Sequence, residues 1–277
     1  MPTIIFLNRQ FKKVNSDILV SLTPGCVEGK GVFETMQIRQ RKILDFDAHM
    51  NRMKQGLDRL GLCSPYPTSA LRRTIQKILS LNKLSDARLR IMIWKEKQGA
   101  THVAIIAQAL NAPSKFRYDS GFSAIVSEMI RPQSQYSHLK SIQYHIFRRA
   151  FNEARQKGYA EAILLNSKGE LVEGATSNVF VIKNNIVYTP LMRSGCLNGI
   201  TRRNVLSLLR DLNIKCRVKS LKVLELIAAD EAFLTNSLIG IVPLTKVNEK
   251  EIGKSHPGPM TLQIMAAYRD SMKSRLT

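Results

Sequence analysis

Short apolar runs and stretches of helical periodicity alternate along the first hundred or so residues. Five runs are typical of strands by their length and β-branched content, at 3–7, 18–22, 32–38, 89–94 and 102–108. Between them, apolar residues three and four apart predict two helices, at about 47–60 with Asp47 as N-cap and at about 68–79. This part of the chain therefore mixes α and β elements.

The alternation continues beyond a cluster of turn-forming residues at 111–115, where we place a domain boundary. Two domains are therefore expected, at 1–112 and 113–277. The strands predicted beyond the boundary are 123–126, 160–165, 178–182, 186–189, 231–234 and 239–242, and the helices are 147–154, a segment from just after Gly199 to 212, and about 261–272. Asn184 and Asn185 suit a hairpin turn. The predicted fold class is mixed α/β.

The composition is that of a globular protein. Of the 277 residues, 44% are hydrophobic and 23% are charged, which excludes a disordered or collagen-like chain. No apolar run approaches the ~18 residues of a membrane-spanning helix, and the apolar run at 4–7 is too short for the core of a signal peptide. We therefore expect a soluble, cytoplasmic protein that does not bind membranes.

The charge is the one compositional outlier. Forty-two Lys and Arg against 21 Asp and Glu give a net charge of +21, which raises the question of a nucleic-acid partner. The cations are dispersed and 6% aromatic residues leave few stacking platforms, so a basic surface that attracts small polyanionic ligands is the preferred interpretation. Cysteines 26, 63, 196 and 216 form no C-x-x-C pair, so we expect reduced thiols and no metal site.

Three places in the sequence could hold an anion. Gly199 and Thr201 open a predicted helix whose free N–H groups would attract a phosphate, although any capped helix looks similar. Asn236 and Ser237 follow a predicted strand, either as a second polar cluster or as an ordinary turn. Arg52 is either a solvated helix residue or a bidentate anion clamp.

Two further ionisable residues are candidates for a chemical role. Lys140 precedes the helix that carries Phe147. A lone lysine there commonly extends to solvent, but partial burial near other cations would favour the neutral amine, which is the nucleophile of Schiff-base chemistry. Glu173 falls between two predicted strands, either as a turn carboxylate or as a partner for a protonated ring nitrogen.

Six short motifs follow one another along the chain. They are Gly31-Val-Phe-Glu-Thr35, Asp47-Ala-His-Met-Asn-Arg52, Lys140-Ser141, Glu173-Gly-Ala-Thr-Ser-Asn178, Gly199-Ile-Thr-Arg202 and Leu234-Thr-Asn-Ser237. Their order and spacing resemble those of the fold type IV pyridoxal-phosphate enzymes, which include branched-chain aminotransferases, D-amino-acid aminotransferases and 4-amino-4-deoxychorismate lyases. The resemblance spans about 29–243. It implies a small N-terminal and a larger C-terminal α/β domain, with active sites between domains in a homodimer.

The resemblance also implies a cofactor, pyridoxal 5'-phosphate, and assigns residues to it. Lys140 would hold the cofactor covalently and later move the proton at the substrate carbon. Glu173 would pair with the pyridinium nitrogen, and Leu197 would pack against the ring. The residues implied around the phosphate are Arg52, Asn236 and Ser237, with the start of the helix at Gly199, Ile200 and Thr201.

The choice of reaction depends on the substrate pocket. The stretch 230–243 and the run Phe33-Glu-Thr35 look most like the deoxychorismate lyases, whereas a branched-chain aminotransferase would usually show Phe-Glu-Gly. The Arg-x-His carboxylate trap of D-amino-acid aminotransferases is missing, since Lys95-Glu-Lys-Gln-Gly99 stands in its place. In the lyases an Arg-Gly segment is usual at this place, with an Asp where this chain has Lys30 and an Asn where it has Gln143. These departures bear on the identity of the substrate.

We therefore expect a lyase of folate biosynthesis that converts aminodeoxychorismate, an anionic substrate with an amino group, to pyruvate and p-aminobenzoate. Thr35 is a candidate proton donor or relay to the leaving fragment. An aminotransferase of the branched-chain or D-amino-acid type is the alternative, and a basic nucleic-acid-binding protein is the third hypothesis.

Overall fold

The computed structural model describes residues 3–97, 99–111 and 114–275. Contacts within the chain divide these residues into two compact units. The first unit contains the described residues up to Asn111 together with Leu139–His145. The second contains the described residues from Ser114 to His138 and from Ile146 to Arg275. The segment with Lys140 thus belongs to the first unit, although it follows part of the second in the sequence.

The described residues form strands and helices that alternate along the chain, and the mixed α/β class is confirmed. The strands are β1 (Thr3–Leu7), β2 (Gln10–Val14), β3 (Lys30–Arg39), β4 (Lys42–Ile43), β5 (Ala87–Lys95), β6 (Thr101–Ala109), β7 (Phe122–Ile130), β8 (Glu161–Leu165), β9 (Leu171–Gly174), β10 (Asn178–Lys183), β11 (Ile186–Pro190), β12 (Cys216–Lys219), β13 (Glu231–Asn236), β14 (Gly240–Val247) and β15 (Lys250–Glu251). The helices are α1 (Ser16–Ser21), α2 (Phe46–Arg59), α3 (Thr68–Leu81), α4 (Lys115–Ser120), α5 (His145–Gln156), α6 (Ile200–Asp211), α7 (Val223–Ile227) and α8 (Pro259–Ser274).

The first unit is built on an antiparallel sheet with the strand order β2-β1-β6-β5-β3-β4. Side chains alternate across it with the period of two that a pleated strand imposes. The inner face carries Val32, Met36 and Ile91 and packs in one apolar cluster with side chains of α2 and α3. The outer face carries Phe33 and Met92 and packs in a second cluster.

The region of α1 corrects one sequence prediction. The β-branched run at 18–22 was expected to be a strand, but Ser16–Ser21 form a helix. The Asn15 side chain caps it by accepting a hydrogen bond from the N–H of Ile18 at 3.1 Å. Ile18 and Val20, which a strand would place on one face, are 43% and 61% exposed, so burial does not favour a strand here and the cap favours the helix.

The second unit contains a mixed sheet with the strand order β12-β11-β10-β13-β14-β7-β8-β9, to which β15 adds by pairing with β14. The pairs β11–β12, β14–β7 and β7–β8 are parallel, and the other pairs are antiparallel. Apolar side chains of α6 and α8 share one core cluster with Phe180 and Phe233, whose rings stack with centroids 4.7 Å apart.

Local details of the second unit test two further expectations. The turn after β10 is confirmed, because Asn184 and Asn185 both have positive φ, of 50° and 58°, as a tight hairpin turn requires. Glu173 lies between β8 and β10, which match the two predicted strands, but it is on a strand of its own, β9, so the interpretation as a turn carboxylate is wrong. Its strand was missed because a four-residue segment that contains Glu and Gly has no apolar alternation to detect.

In the first unit, α2 begins at Phe46 with Asp45 as N-cap, so the expected cap at Asp47 is wrong by two residues. Asp47 lies in the first turn instead, where a carboxylate still favours the helix dipole. Within the described residues, no helix combines the length and the apolar character that crossing a membrane requires.

Candidate active site

The start of α6 in the second unit offers backbone N–H groups to an anion. Gly199 is the N-cap, and glycine has no side chain with which to cap the helix. Ile200 and Thr201 follow it as buried residues. A Cβ on Gly199 would overlap Oδ1 of Asn178, so only glycine lets this helix start so close to β10. An uncapped N-terminus of a twelve-residue helix is the kind of site that binds phosphate.

Glu173 lies on β9 in the same unit and is 4% exposed. Its Oε2 accepts a hydrogen bond from the N–H of Leu197 at 3.0 Å. The carbonyl of Leu197 in turn accepts one from Nδ2 of Asn178, also at 3.0 Å. Nε of Arg131 lies 3.8 Å from Oε1 of Glu173, so a cation stands beside the buried carboxylate. The backbone of Leu197 thus ties the carboxylate to the turn that leads into α6.

A second buried carboxylate shapes the loop that follows Glu173. Glu161, at the start of β8, accepts hydrogen bonds from the hydroxyls of Thr176 and Ser177 at 2.6 and 2.8 Å and from the N–H of Ala162 at 3.0 Å. Burial raises the pKa of Glu161 despite these bonds. The sequence analysis missed this residue, and the available signal was a glutamate that opens an otherwise apolar strand.

Asn236 and Ser237 lie where β13 leads into β14. Oδ1 of Asn236 accepts hydrogen bonds from the N–H groups of Leu238 and Ile239 at 2.9 Å each, and its Nδ2 donates to the carbonyl of Thr176 at 3.1 Å. The Asn236 side chain therefore shapes the turn that carries Ser237 and ties it to the loop after Glu173.

The second unit also has an unsatisfied buried hydroxyl close to these residues. Oγ1 of Thr235 has no hydrogen-bond partner among the described residues, and Thr235 is the register partner of Asn178, against which Gly199 packs. A buried carboxylate, an uncapped helix start and a spare hydroxyl fit the protonated ring nitrogen and the phosphate of pyridoxal 5'-phosphate.

Lys140 in the first unit is held by a short strand-like segment. The carbonyl of Lys140 accepts a hydrogen bond from the N–H of Phe33 at 2.8 Å, and the N–H of Ile142 donates to the carbonyl of Gly31 at 3.0 Å. Nζ of Lys140 lies 4.7 Å from the centroid of the Phe33 ring, a distance at which the ring face attracts an ammonium. The amine is therefore positioned at the outer face of the first sheet.

Arg52 on α2 is anchored by a buried carboxylate of β3. Its Nε and NH2 atoms donate to the two oxygens of Glu34 at 2.7 and 2.6 Å, and Nδ1 of His49 lies 2.7 Å from Oε2 of the same carboxylate. Burial alone would raise the pKa of Glu34, but the charge and hydrogen bonds of Arg52, with those of His49, lower it to about 2. This pair holds the guanidinium in a fixed orientation.

Thr35 lies on β3 two residues beyond Phe33. Residues two apart on a strand share one face, so Thr35 is on the outer face with the ring that contacts Lys140, whereas Glu34 is on the inner face with Arg52. The expected site residues thus fall into two groups. Lys140, Thr35 and Arg52 belong to the first unit, and the others belong to the second.

A comparison with known families identifies the chain. Residues 31–247 match the family described as amino-transferase class IV. The chain belongs to this family. The family uses pyridoxal 5'-phosphate, and the family-level expectation from the six motifs is confirmed.

Curated relatives in this family carry out different reactions. The chain is 27% identical over 255 residues to the D-alanine aminotransferase of Bacillus licheniformis, with 89% of each chain covered. It is 25% identical to the aminodeoxychorismate lyase of Bacillus subtilis, with 99% of this chain and 96% of the relative covered. It is 28% identical to the branched-chain-amino-acid aminotransferase of Pseudomonas aeruginosa, with 91% and 85% covered.

Solved structures of this family have the same fold. The branched-chain amino acid aminotransferase of Escherichia coli aligns with a TM-score of 0.85 at 24% identity, covering 98% of this chain and 94% of that one. The T.th. branched-chain amino acid aminotransferase, solved with pyridoxamine 5'-phosphate, aligns with a TM-score of 0.88 at 23% identity, covering 99% and 95%.

Proposed function

We propose that this class IV protein binds pyridoxal 5'-phosphate and acts as a 4-amino-4-deoxychorismate lyase. The reaction converts one substrate to p-aminobenzoate and pyruvate and needs no second substrate. The proton lost from the ring carbon that carries the amine is balanced by a proton gained at the methylene of the leaving enolpyruvyl group. The enzyme therefore has to take up one proton and deliver another.

The residues described above supply the groups that hold the cofactor. Lys140 is the covalent attachment point, Glu173 keeps the ring nitrogen protonated, and the N–H groups at the start of α6 bind the phosphate together with Ser237 and Arg52. When bound, the cofactor withdraws electrons from the amine-bearing carbon of the substrate and so acidifies its C–H bond.

The proposed proton transfers are made by two side chains of the first unit. The amine of Lys140 takes the proton from the ring carbon. Oγ1 of Thr35 delivers a proton to the methylene carbon of the leaving group. The observation that carries the choice of a lyase is that this hydroxyl shares the outer face with the Phe33 ring, which lies 4.7 Å from the lysine amine. With glycine in place of Thr35, as in the Phe-Glu-Gly run usual in branched-chain aminotransferases, no side chain at this position could donate a proton.

An aminotransferase is the second candidate, and the relatives supply the observation that favours it. Both a D-alanine aminotransferase and a branched-chain-amino-acid aminotransferase match most of the chain at identities similar to that of the lyase. Such an enzyme would need an amino donor and a 2-oxo acid acceptor, which the lyase does not.

The test is to incubate the cofactor-loaded protein with aminodeoxychorismate and no oxo acid, and to measure p-aminobenzoate and pyruvate. Equimolar release over many turnovers supports the lyase. If neither product forms, while an amino acid and a 2-oxo acid exchange amino groups, the second candidate replaces the first.

Two variants separate the roles of the first-unit residues. Lys140→Ala is expected to abolish product formation while some non-covalent cofactor binding remains, and an active Lys140→Ala variant would contradict the assignment. Thr35→Val is expected to lower kcat, whereas Thr35→Ser, which keeps the hydroxyl, is expected to retain most of it. We also propose that the protein is a homodimer, which light scattering of the purified protein tests.

A further inference from the structure

A buried carboxylate outside the groups assigned to the cofactor organises the loop that joins β9 to β10, residues 175–177. Glu161 opens β8 and is 2% exposed. Its Oε2 accepts hydrogen bonds from the N–H and the hydroxyl of Thr176 at 3.2 and 2.6 Å, and from the hydroxyl of Ser177 at 2.8 Å. Three hydrogen bonds from one short loop thus converge on a single carboxylate oxygen.

Burial makes this carboxylate costly to keep. In the part of the chain that the structure describes, no ion pair includes Glu161. Buried carboxylates without a cation are rare in folded proteins. Replacing buried charged groups by well-packed apolar ones is often neutral or stabilising, so packing alone does not explain a glutamate at the start of β8. The loop that it holds does.

The loop is packed tightly against the carboxylate. A Cβ at Gly174 would overlap Oγ of Ser177 and approach Cδ of Glu161 to 3.1 Å, so only glycine fits where the loop and the carboxylate meet. The N–H of Gly174 donates to the carbonyl of Ser177 at 2.7 Å, and the N–H of Ala175 donates to the carbonyl of Ala162 at 2.8 Å. Side-chain and backbone contacts therefore impose one conformation on the loop.

The loop in turn holds the turn that carries Ser237. The carbonyl of Thr176 accepts a hydrogen bond from Nδ2 of Asn236 at 3.1 Å. Oδ1 of the same side chain accepts hydrogen bonds from the N–H groups of Leu238 and Ile239 at 2.9 Å each. The amide of Asn236 therefore joins the loop to the turn. This chain of hydrogen bonds begins at the buried carboxylate and ends beside Ser237, the proposed phosphate ligand.

We propose that Glu161 is a positioning residue for the phosphate of pyridoxal 5'-phosphate. It fixes Thr176, whose carbonyl orients Asn236 and with it the turn that carries Ser237. Glu161 acts through the loop and is not itself a ligand of the cofactor. A binding group held to within about 0.5 Å by supporting hydrogen bonds binds more tightly than a loose one, because less ordering is left to do on binding. This role rests on the proposed function, since it takes Ser237 to bind the phosphate.

The test compares two ligands that differ in the phosphate alone. Protein freed of cofactor is titrated with pyridoxal 5'-phosphate and with pyridoxal, and binding is followed by absorbance. Glu161→Ala is expected to weaken binding of pyridoxal 5'-phosphate about tenfold or more, the size of effect that outer-shell partners have at metal sites. Pyridoxal is expected to bind the variant and the wild type equally, because it has no phosphate for the turn to hold.

A matched control and a conservative variant separate this role from general stability. Glu231 opens β13 as Glu161 opens β8, and it accepts hydrogen bonds from the N–H groups of Met260 and Thr261 at 3.1 and 2.7 Å. It lies at the opposite end of β13 from Asn236, so Glu231→Ala is expected to lower the melting temperature and leave both affinities unchanged. Glu161→Gln keeps an oxygen for the loop and is expected to recover part of the lost affinity.

A double-mutant cycle tests the route through the loop. Glu161→Ala and Asn236→Ala disturb the same connection, the carbonyl of Thr176, so their effects on the affinity for pyridoxal 5'-phosphate are expected not to add. Independent effects would multiply the two fold-changes. If Glu161→Ala does not fold, Thr176→Val, which removes the 2.6 Å hydrogen bond and keeps the carbonyl, is expected to show the same selective loss to a smaller extent.

Three results would overturn the proposal: unchanged affinity for pyridoxal 5'-phosphate in a folded variant, an equal loss for both ligands, or fold-changes that multiply in the double variant. The proposed function fails separately. If the cofactor-loaded protein releases no p-aminobenzoate while Glu161→Ala selectively weakens binding of the phosphorylated ligand, the reaction assignment is wrong and the positioning role stands. If p-aminobenzoate is released and Glu161→Ala binds both ligands as the wild type does, the positioning role is wrong and the reaction stands.

Discussion

Replacing Glu34 by Gln removes the charge at the centre of the buried cluster on the inner face of the first sheet. The variant keeps the size of the side chain, but the ion pair with Arg52 is lost. Both oxygens of Glu34 accept from the guanidinium, and His49 bonds to one of them. We expect the first unit to lose stability at neutral pH, because breaking a buried pair leaves a cation without its counter-charge.

The magnitude follows from the pKa of Glu34. A fall from the ordinary value of 4.5 to about 2 means that folding favours the carboxylate by about 3 kcal/mol over its protonated form. Because Glu34 is fully buried, solvent does not screen this interaction. Breaking a buried ion pair by removal of one partner typically has a cost of about 3–5 kcal/mol, so the two values agree.

The sign of the pH dependence is fixed by the direction of the shift. The folded pKa lies below the unfolded one, so the stabilisation is fully present above pH 4.5 and is lost as the pH falls through about 2. The difference between wild type and Glu34→Gln is therefore expected to be about 3 kcal/mol at pH 7 and about 1 kcal/mol at pH 3. Protonated glutamate and glutamine are both neutral, so they converge at low pH.

The assay is urea unfolding followed by the fluorescence of Trp94, the single tryptophan, which packs in the outer-face cluster of the first sheet. Asp86→Asn is the control within the same unit, since its ion pair with Arg39 is exposed and should contribute less than about 1 kcal/mol. An equal loss at pH 7 and pH 3 for Glu34→Gln, or no loss at pH 7, would refute the reasoning.

The remaining predictions concern the second unit and the thiols. Gly199→Ala is expected to weaken cofactor binding in an absorbance titration by about tenfold or more, because its Cβ would overlap Oδ1 of Asn178, and Asn178→Ser in the same chain should restore part of the affinity. A Gly199→Ala variant with unchanged affinity would remove the helix start from the site. Burial, with the charge of Glu173, raises the pKa of Cys196 to about 12, so iodoacetamide at pH 8 should modify the exposed Cys63 well before Cys196 in native protein; mass spectrometry of digested protein checks the order.

The elements with a regular apolar period were predictable from the sequence. Strand β3 alternates buried and half-buried positions from Glu34 to Arg39, and β5 does so from Ala87 to Ile91. Helices such as α3 carry a continuous apolar stripe. These patterns are set by burial, which the sequence displays directly. The edge strand β2 was missed because its side chains, among them Lys12 and Lys13, are mostly exposed and its hydrogen bonds to β1 leave no trace in hydropathy.

The candidate site was predictable only where a motif could be matched. The glycine at the start of α6, the lysine at position 140 and the glutamate at position 173 were singled out in this way, and their roles stay predictions. Glu161 was not, because a charged residue at the start of an apolar strand looks the same in the sequence whether its side chain is solvated or buried. Only the pairing of strands decides whether such a side chain is buried, and that pairing depends on residues far apart in the sequence.

The first unit is discontinuous in the sequence, and this limits how such a chain can be recombined. A fragment that ends at Asn111 keeps all six strands of the sheet. It loses the segment Leu139–His145, whose backbone pairs with Gly31 and Phe33 and whose Ile142 carbonyl accepts the N–H of Gly25. Chimaeras of two relatives joined near residue 112 would therefore combine the lysine segment of one parent with the sheet of the other. To inherit a matched first unit, a chimaera has to exchange Leu139–His145 together with the residues up to Asn111.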